Sequence, residues 1–242
     1  MKKTLFFIFS LMLVASIAMS QESSGTVVPL IGQEAPSFTA ESTNGTINFP
    51  KDFGKDWKII FSHPADFTPV CSSELLELAA LQADFKKMNV DLIVVSTDNL
   101  ESHKNWIKSL ESLNYKNRQT AKIEFPLVDD QSKAIAKKYG MIHPNNNSTK
   151  DVRGVFIVDP KNTIRAMFFY PMNIGRNMDE IKRTLLAFQT SEKDNVLTPA
   201  DWQPGGDVLL PYVKKDNEKG NATSANDPQV YQLTWYMIFK KM

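Results

Sequence analysis

The chain contains one cysteine, Cys71, at the end of the run Pro64-Ala65-Asp66-Phe67-Thr68-Pro69-Val70 and at the mouth of a predicted helix. A thiol at a helix N-terminus ionises more readily than an ordinary one, because the free N–H groups of the first turn and the helix dipole favour negative charge. The thiolate is the nucleophilic form of sulfur, so the position points to redox or nucleophilic chemistry. Out of context a lone cysteine is more simply a small buried hydrophobe; here the surroundings argue otherwise. Pro64 and Pro69 stiffen the approach, and Thr68, three residues before the sulfur, can turn its hydroxyl to the same pocket. A cation would complete the site by holding the thiolate and an oxygen-rich substrate. Arg153, which opens the predicted strand Arg153–Asp159, is the best candidate, because strand ends place side chains at sheet rims. No second cysteine exists, so oxidised sulfur has to be restored by something outside the chain.

The elements that would position these groups can be read from periodicity. Trp57 to Ser62 is a strand candidate running straight into the cysteine segment. From Ser72 onward, leucines and other apolar residues at 75, 78, 81 or 82, 85 and 88 follow one helix face, with Gln82 the only polar interruption. Leu92 to Val95 is a continuous apolar run of the kind that forms a strand buried on both faces. A second helix fits Glu101 to Leu113, with Trp106, Ile107, Leu110 and Leu113 on one side, and a third fits Gln131 to Tyr139, closed by Gly140. Gly32 to Thr39 reads as irregular, with a turn at Gly45 between two short extended pieces. Arg153–Asp159 and Thr163–Tyr170 read as strands joined by a turn at Asp159-Pro160-Lys161-Asn162, and Asn177 to Glu180 resembles a capping box opening a last helix. This alternation indicates an α/β sheet covered on both faces, with chemistry at the strand ends.

Residues 1–20 read as a cleavable signal peptide: Lys2 and Lys3, an apolar run from Leu5 to Met19, and a small-x-small site at Ala18-Met19-Ser20. The run is short for a membrane span, which needs about 20 residues. An exported protein, periplasmic or secreted, is therefore expected, with no stable membrane insertion once the signal is removed. Loss of the two lysines takes the formal charge from +1 to −1. A nearly neutral chain without a basic stripe has no electrostatic footprint for nucleic acid. Exported and yet unable to form an internal disulfide, the chain must depend on a conventional core. Residues 28–190 are expected to form the main domain and 191–242 a small C-terminal arm and tail. The stretch 214–227 reads as poorly ordered, and the apolar last dozen residues read as packing on the same chain or a partner.

The run from His63 to Leu75 resembles the active-site signature of the peroxiredoxins, in particular the one-cysteine group. Arg153 to Pro160, Tyr170 to Asn177 and Thr198 to Asp207 support the same resemblance, which extends from about Val28 to Pro211. It implies a thioredoxin-like fold with a central mixed sheet flanked by helices, and thiol-dependent reduction of hydrogen peroxide and organic hydroperoxides through a sulfenic acid at Cys71. By the same resemblance Thr68 and Arg153 would hydrogen-bond the sulfur and the peroxide oxygens. Pro64 would shield the sulfur, Glu74 and Arg176 would support Arg153, and His63 would lie beside the site. A homodimer is expected on the same ground, and no cofactor. The rival reading is a non-catalytic binding or chaperone-like module on the same fold.

Some one-cysteine relatives are described as phospholipases through a Gly-x-Ser-x-Gly sequence. Here the matching stretch is Lys55-Asp56-Trp57-Lys58, with aspartate in the serine position and lysine for a glycine, so no lipase activity is expected. The three histidines (His63, His103 and His143) have no metal-ligand spacing, and His103 reads as a surface residue. Sequons at Asn146, Asn147 and Asn221 carry little information.

Overall fold

The computed structural model describes residues 28–143, 150–211 and 227–242. The expected signal peptide, the three sequons and most of the stretch expected to be poorly ordered lie outside the described residues. In chain order the elements are β1 (Phe38–Ser42), β2 (Gly45–Phe49), β3 (Trp57–Ser62), α1 (Pro69–Lys87), β4 (Val90–Ser96), α2 (Leu100–Glu111), β5 (Asn114–Tyr115), β6 (Arg118–Gln119), β7 (Leu127–Asp129), α3 (Ala134–Lys138), β8 (Arg153–Val158), β9 (Ile164–Tyr170), α4 (Met178–Asp194), β10 (Val208–Leu209), β11 (Val230–Thr234) and β12 (Met237–Lys240).

Seven strands make one mixed sheet in the order β2-β1-β7-β4-β3-β8-β9. The central strands β3, β4 and β7 run parallel, and β8 lies antiparallel against β3. Alternate residues of a strand face opposite sides, so a continuous apolar run can serve two cores at once. Ile59, Phe61, Leu92, Val94, Val155 and Ile157 face α1 and α4, packing with Leu75, Leu78, Phe85, Ile181 and Leu185. Ile60, Ile93, Val95, Phe156 and Val158 face the other way, onto Phe38, Phe49, Ile135 and Tyr139. This is the thioredoxin-like arrangement, a mixed sheet between helical layers.

The antiparallel placement of β8 matters most for function. With Phe61 paired to Val155, the start of β8 lies at the same sheet edge as the end of β3. Ser62 fastens this edge: its hydroxyl donates to the Val152 carbonyl at 2.7 Å and accepts the Gly154 N–H at 2.9 Å. Gly154 has no room for a side chain to grow freely, since a Cβ there would meet Met141 Sδ at 3.1 Å and Ser62 Oγ at 3.2 Å.

Several sequence expectations need adjustment. The third helix is only Ala134–Lys138, because Lys133 takes a left-handed conformation (φ 61°) and the chain before it is folded around the Asp130 carboxylate. Residues 38–39, read as irregular, belong to β1, which pairs with β2 across the turn before Gly45. The C-terminal arm forms a separate small sheet, β10-β12-β11, beside a core of Val196, Trp202 and Val208. Among the described residues no helix is long and apolar enough to cross a membrane.

Candidate active site

Cys71 is the third residue of α1 and is fully buried. The helix begins abruptly because Thr68 is extended (φ −107°, ψ 147°) and Pro69 follows it, a residue whose fixed φ suits the first helical position. Phe67, just before, is held at φ 53°, a conformation that bulky residues rarely adopt. Pro64, also buried, closes the loop over β3.

Arg153 reaches this sulfur from β8. Its Nη1 donates to Cys71 Sγ at 3.2 Å and to Glu74 Oε2 at 2.8 Å, while Nε donates to the Met172 carbonyl at 3.0 Å and Nη2 to that same oxygen. Glu74, one helical turn beyond Cys71, holds two guanidinium groups. Arg176 donates to it from its backbone N–H at 2.8 Å, from Nε at 2.9 Å and from Nη2 at 2.7 Å. The remaining Arg176 nitrogen, Nη1, donates to the Gly154 carbonyl at 2.8 Å, and the guanidinium lies 3.3 Å from the centre of the Phe61 ring. Burial alone would push the Glu74 carboxyl up; the hydrogen bonds and charge of Arg176, with the charge of Arg153, outweigh it and hold the carboxyl below its ordinary range. With Nε, Nη1 and Nη2 all engaged, Arg153 can stabilise negative charge on sulfur without reorganising at the moment of reaction.

Thr68 differs in detail from the expectation. Its hydroxyl donates to the Ala65 carbonyl at 2.9 Å rather than to the sulfur. In this geometry it stabilises the loop that carries Cys71.

One residue escaped the sequence reading. His103 is not on the surface: it is fully buried, and its Nδ1 lies 2.8 Å from Asp66 Oδ2. His63 Nε2 meets the other Asp66 oxygen at 2.9 Å. Residues 40 positions apart are therefore joined by one carboxylate, and the spacing of α2, which turns His103 inward with Trp106, was the only signal available. Burial would push the Asp66 carboxyl up, but the hydrogen bonds from His103 and His63 reverse this and hold it far below the ordinary carboxylate range. Ligand atoms of His63, Asp66 and Asp98 lie within 4.8 Å of one another. Asp98 is nevertheless engaged by the Asp66 N–H at 2.7 Å and by Lys150 Nζ at 2.6 Å, and Asp66 by two imidazoles, so these groups serve one another rather than forming an open metal site.

Lys58, at the glycine position of the lipase-type sequence, is fully buried, with Nζ donating to the Gly54 carbonyl and to Asn162 Oδ1, each at 3.0 Å. Asp56 is exposed. Aspartate therefore stands where that chemistry needs a hydroxyl.

Residues 31–167 match the AhpC/TSA family model, and residues 187–222 match that of the C-terminal domain of 1-Cys peroxiredoxin. A peroxiredoxin of Methanosarcina mazei is 44% identical over 215 residues, which cover 88% of this chain and 98% of the relative. The 1-Cys peroxiredoxin of Dictyostelium discoideum is 40% identical, over 78% of this chain and 77% of its own. Among solved structures, a yeast mitochondrial 1-Cys peroxiredoxin, described as resolved via glutathione/thioredoxin systems, is 38% identical with a TM-score of 0.76, over 88% of this chain and 99% of that one. A cysteine-to-serine mutant of peroxiredoxin 6 from Arenicola marina superposes with a TM-score of 0.75 at 32% identity, covering 88% of this chain and 97% of that one. With family models matching more than half of the chain and relatives of about 40% identity covering most of it, the chain belongs to the peroxiredoxins, as a thiol-dependent peroxidase of the one-cysteine type.

Proposed function

We propose that Cys71, Arg153, Thr68 and Pro64 carry the reduction of hydrogen peroxide and small organic hydroperoxides, supported by Glu74, Arg176 and His63. The observation that carries this is the 3.2 Å contact from Arg153 Nη1 to Cys71 Sγ, both side chains being buried. The thiolate attacks the terminal peroxide oxygen. An S–O bond forms and the O–O bond breaks, its electron pair going to the departing oxygen, which takes up a proton and leaves as water or an alcohol. Sulfur becomes the sulfenic acid. One external thiol then displaces water to give a mixed disulfide, and a second releases Cys71 as the thiol. Because Thr68 donates to Ala65 at rest, a contact between its proton and peroxide requires that hydroxyl to rotate. The test is Cys71→Ser: thiol-dependent peroxide consumption disappears while the folded state survives, and retained turnover would exclude this sulfur.

The reductant is an external low-molecular-weight or protein thiol, a reading supported by the absence of any second cysteine and by the thiol systems that serve the yeast relative. The apolar N-terminal run supports export, which requires that thiol to be present outside the cytoplasm. A homodimer is supported by β9, an edge strand of the main sheet in which half-buried Met167, Phe168, Phe169 and Tyr170 have β8 as their one strand neighbour among the described residues, Ile164 at its start also bonding Gly32 and Gln33. Exposed apolar edges of this kind readily pair with a second copy. Light scattering at twice the chain mass is expected, and a monomer at micromolar concentration would refute it.

A further inference from the structure

The chain enters β8 through Lys150, Asp151 and Val152, and this entry is tied to both halves of the sulfur site. On one side, Val152 donates its N–H to the Met141 carbonyl at 2.9 Å, and its own carbonyl accepts the Ser62 hydroxyl at 2.7 Å. That clamp fixes the backbone from which Arg153 reaches Cys71. On the other side, Lys150 Nζ donates to Asp98 Oδ1 at 2.6 Å. Asp98 Oδ2 in turn accepts the Asp66 N–H at 2.7 Å, within the loop that leads to Cys71. Asp151 lies between the two ties. It is fully buried, and neither of its carboxyl oxygens has a hydrogen-bond partner among the described residues.

The groups around Asp151 give it no donor. Asp130 and Lys133 face it from the turn before α3, Asp98 from the turn after β4, and Lys150 from its own segment. Asp130 is committed to the Ile135 and Ala136 N–H groups, and burial pushes its carboxyl up in spite of them. Asp98 is committed to Lys150 and the Asp66 N–H. A carboxylate without a donor is far costlier to bury than the neutral acid, so such a group keeps its proton or leaves the interior. Burial, with the Asp130 and Asp98 charges, pushes the Asp151 carboxyl up to about 8, against Lys150 and Lys133. The entry to β8 is thus built around the protonated form.

We propose that Asp151 is a positioning residue for Arg153 and serves as a neutral acid: once its proton passes to solvent, residue 151 turns out to water, the Val152–Ser62 clamp loosens and Arg153 loses its fixed approach to Cys71. The proposal rests on the reading of Cys71 as the peroxidatic sulfur. Its test is the pH profile of Cys71 oxidation by hydrogen peroxide, in the full mature chain and in Asp151→Asn, which has no carboxyl proton to lose. In wild type the rate falls reversibly by about tenfold or more as pH rises through about 8, the scale of a misplaced reacting group. Asp151→Asn lacks that fall, whatever its rate at neutral pH. The same fall in both proteins, or none in wild type, would overturn the proposal.

Hydrogen exchange at the Val152 and Gly154 amides reads the clamp without peroxide. Above about pH 8 it is faster in wild type than in Asp151→Asn, and below that the two agree. Equal exchange throughout contradicts the loosening. A wild-type sulfur no faster than a free thiol at neutral pH counts against the peroxidatic reading alone, and exchange then decides. If Asp151→Asn fails to fold, carbon NMR of the wild-type carboxyls takes its place. The proposal requires the Asp151 carboxyl to ionise over the range in which the rate falls, and a carboxyl already ionised at neutral pH contradicts it.

Discussion

Arg153 Nη1 lies 3.2 Å from Cys71 Sγ, although the two residues are 82 positions apart in the chain. The contact exists because β8 runs antiparallel to β3, which returns its first residue to the edge where α1 begins. Arg153 is buried and spends its other donors on Glu74 and the Met172 carbonyl, so it cannot turn away to solvent. Fixed direction distinguishes it from a lysine, whose single ammonium could not meet three acceptors in one plane.

Arg153→Ala should therefore slow Cys71 oxidation by about a hundredfold or more, the usual cost of removing one directed donor from developing charge. Arg153→Lys should recover only part of the loss. Alkylation of the thiol by iodoacetamide across pH reports the same interaction without peroxide. Unchanged alkylation and oxidation in Arg153→Ala would remove this residue from the site.

Glu74→Gln should damage both stability and rate. The carboxylate neutralises two buried guanidinium groups, and taking one partner from a buried ion pair costs about 3–5 kcal/mol. The sign of the pH effect follows from the depressed Glu74 carboxyl. Its stabilisation is complete above the ordinary glutamate range and is lost as pH falls through its lower folded value. Urea unfolding at several pH values should show Glu74→Gln much weaker than wild type at neutral pH, with the gap closing in acid. A constant gap would contradict the charge argument.

Asp151 has the opposite sign. It is fully buried, neither carboxylate oxygen has a hydrogen-bond partner among the described residues, and burial together with the Asp130 and Asp98 charges pushes its carboxyl up to about 8, against the pull of Lys150 and Lys133. Between the unfolded value of about 4 and the folded value, the native state holds a proton that the unfolded chain has lost. Stability therefore falls as pH rises through that window. Asp151→Asn should remove this slope, melting above wild type at pH 8 and drawing level toward pH 4. Parallel melting curves would show that the carboxyl is solvated or paired in solution.

The sequence made Cys71 and its loop legible because that chemistry is local: Pro64, Thr68, Pro69 and the helix start all lie within a few residues. Arg153 was accessible from its place at a strand start, and β3, β4 and β8 from their unbroken apolar runs. His103 was misread because one polar residue on an amphipathic helix ordinarily faces water, and its buried partners, Asp66 and the Val128 carbonyl, lie 37 and 25 positions away in the chain. Likewise the short α3 could not be foreseen from periodicity. Its start is governed by the Asp130 carboxylate accepting the Ile135 and Ala136 N–H groups, a local bond that overrides helical spacing. The Thr68 hydroxyl was placed in the right loop, and its acceptor followed from backbone geometry that spacing does not encode.

The central claim is that Cys71 is a sulfur prepared for peroxide. Stopped-flow oxidation of the reduced mature protein by hydrogen peroxide, followed by mass spectrometry of Cys71, tests it most directly. Rapid, stoichiometric conversion to sulfenic acid, abolished in Cys71→Ser and strongly slowed in Arg153→Ala, is the predicted result. Oxidation no faster than that of a free thiol would contradict it, leaving the Arg153–Glu74–Arg176 assembly as a structural ion network on a peroxiredoxin fold.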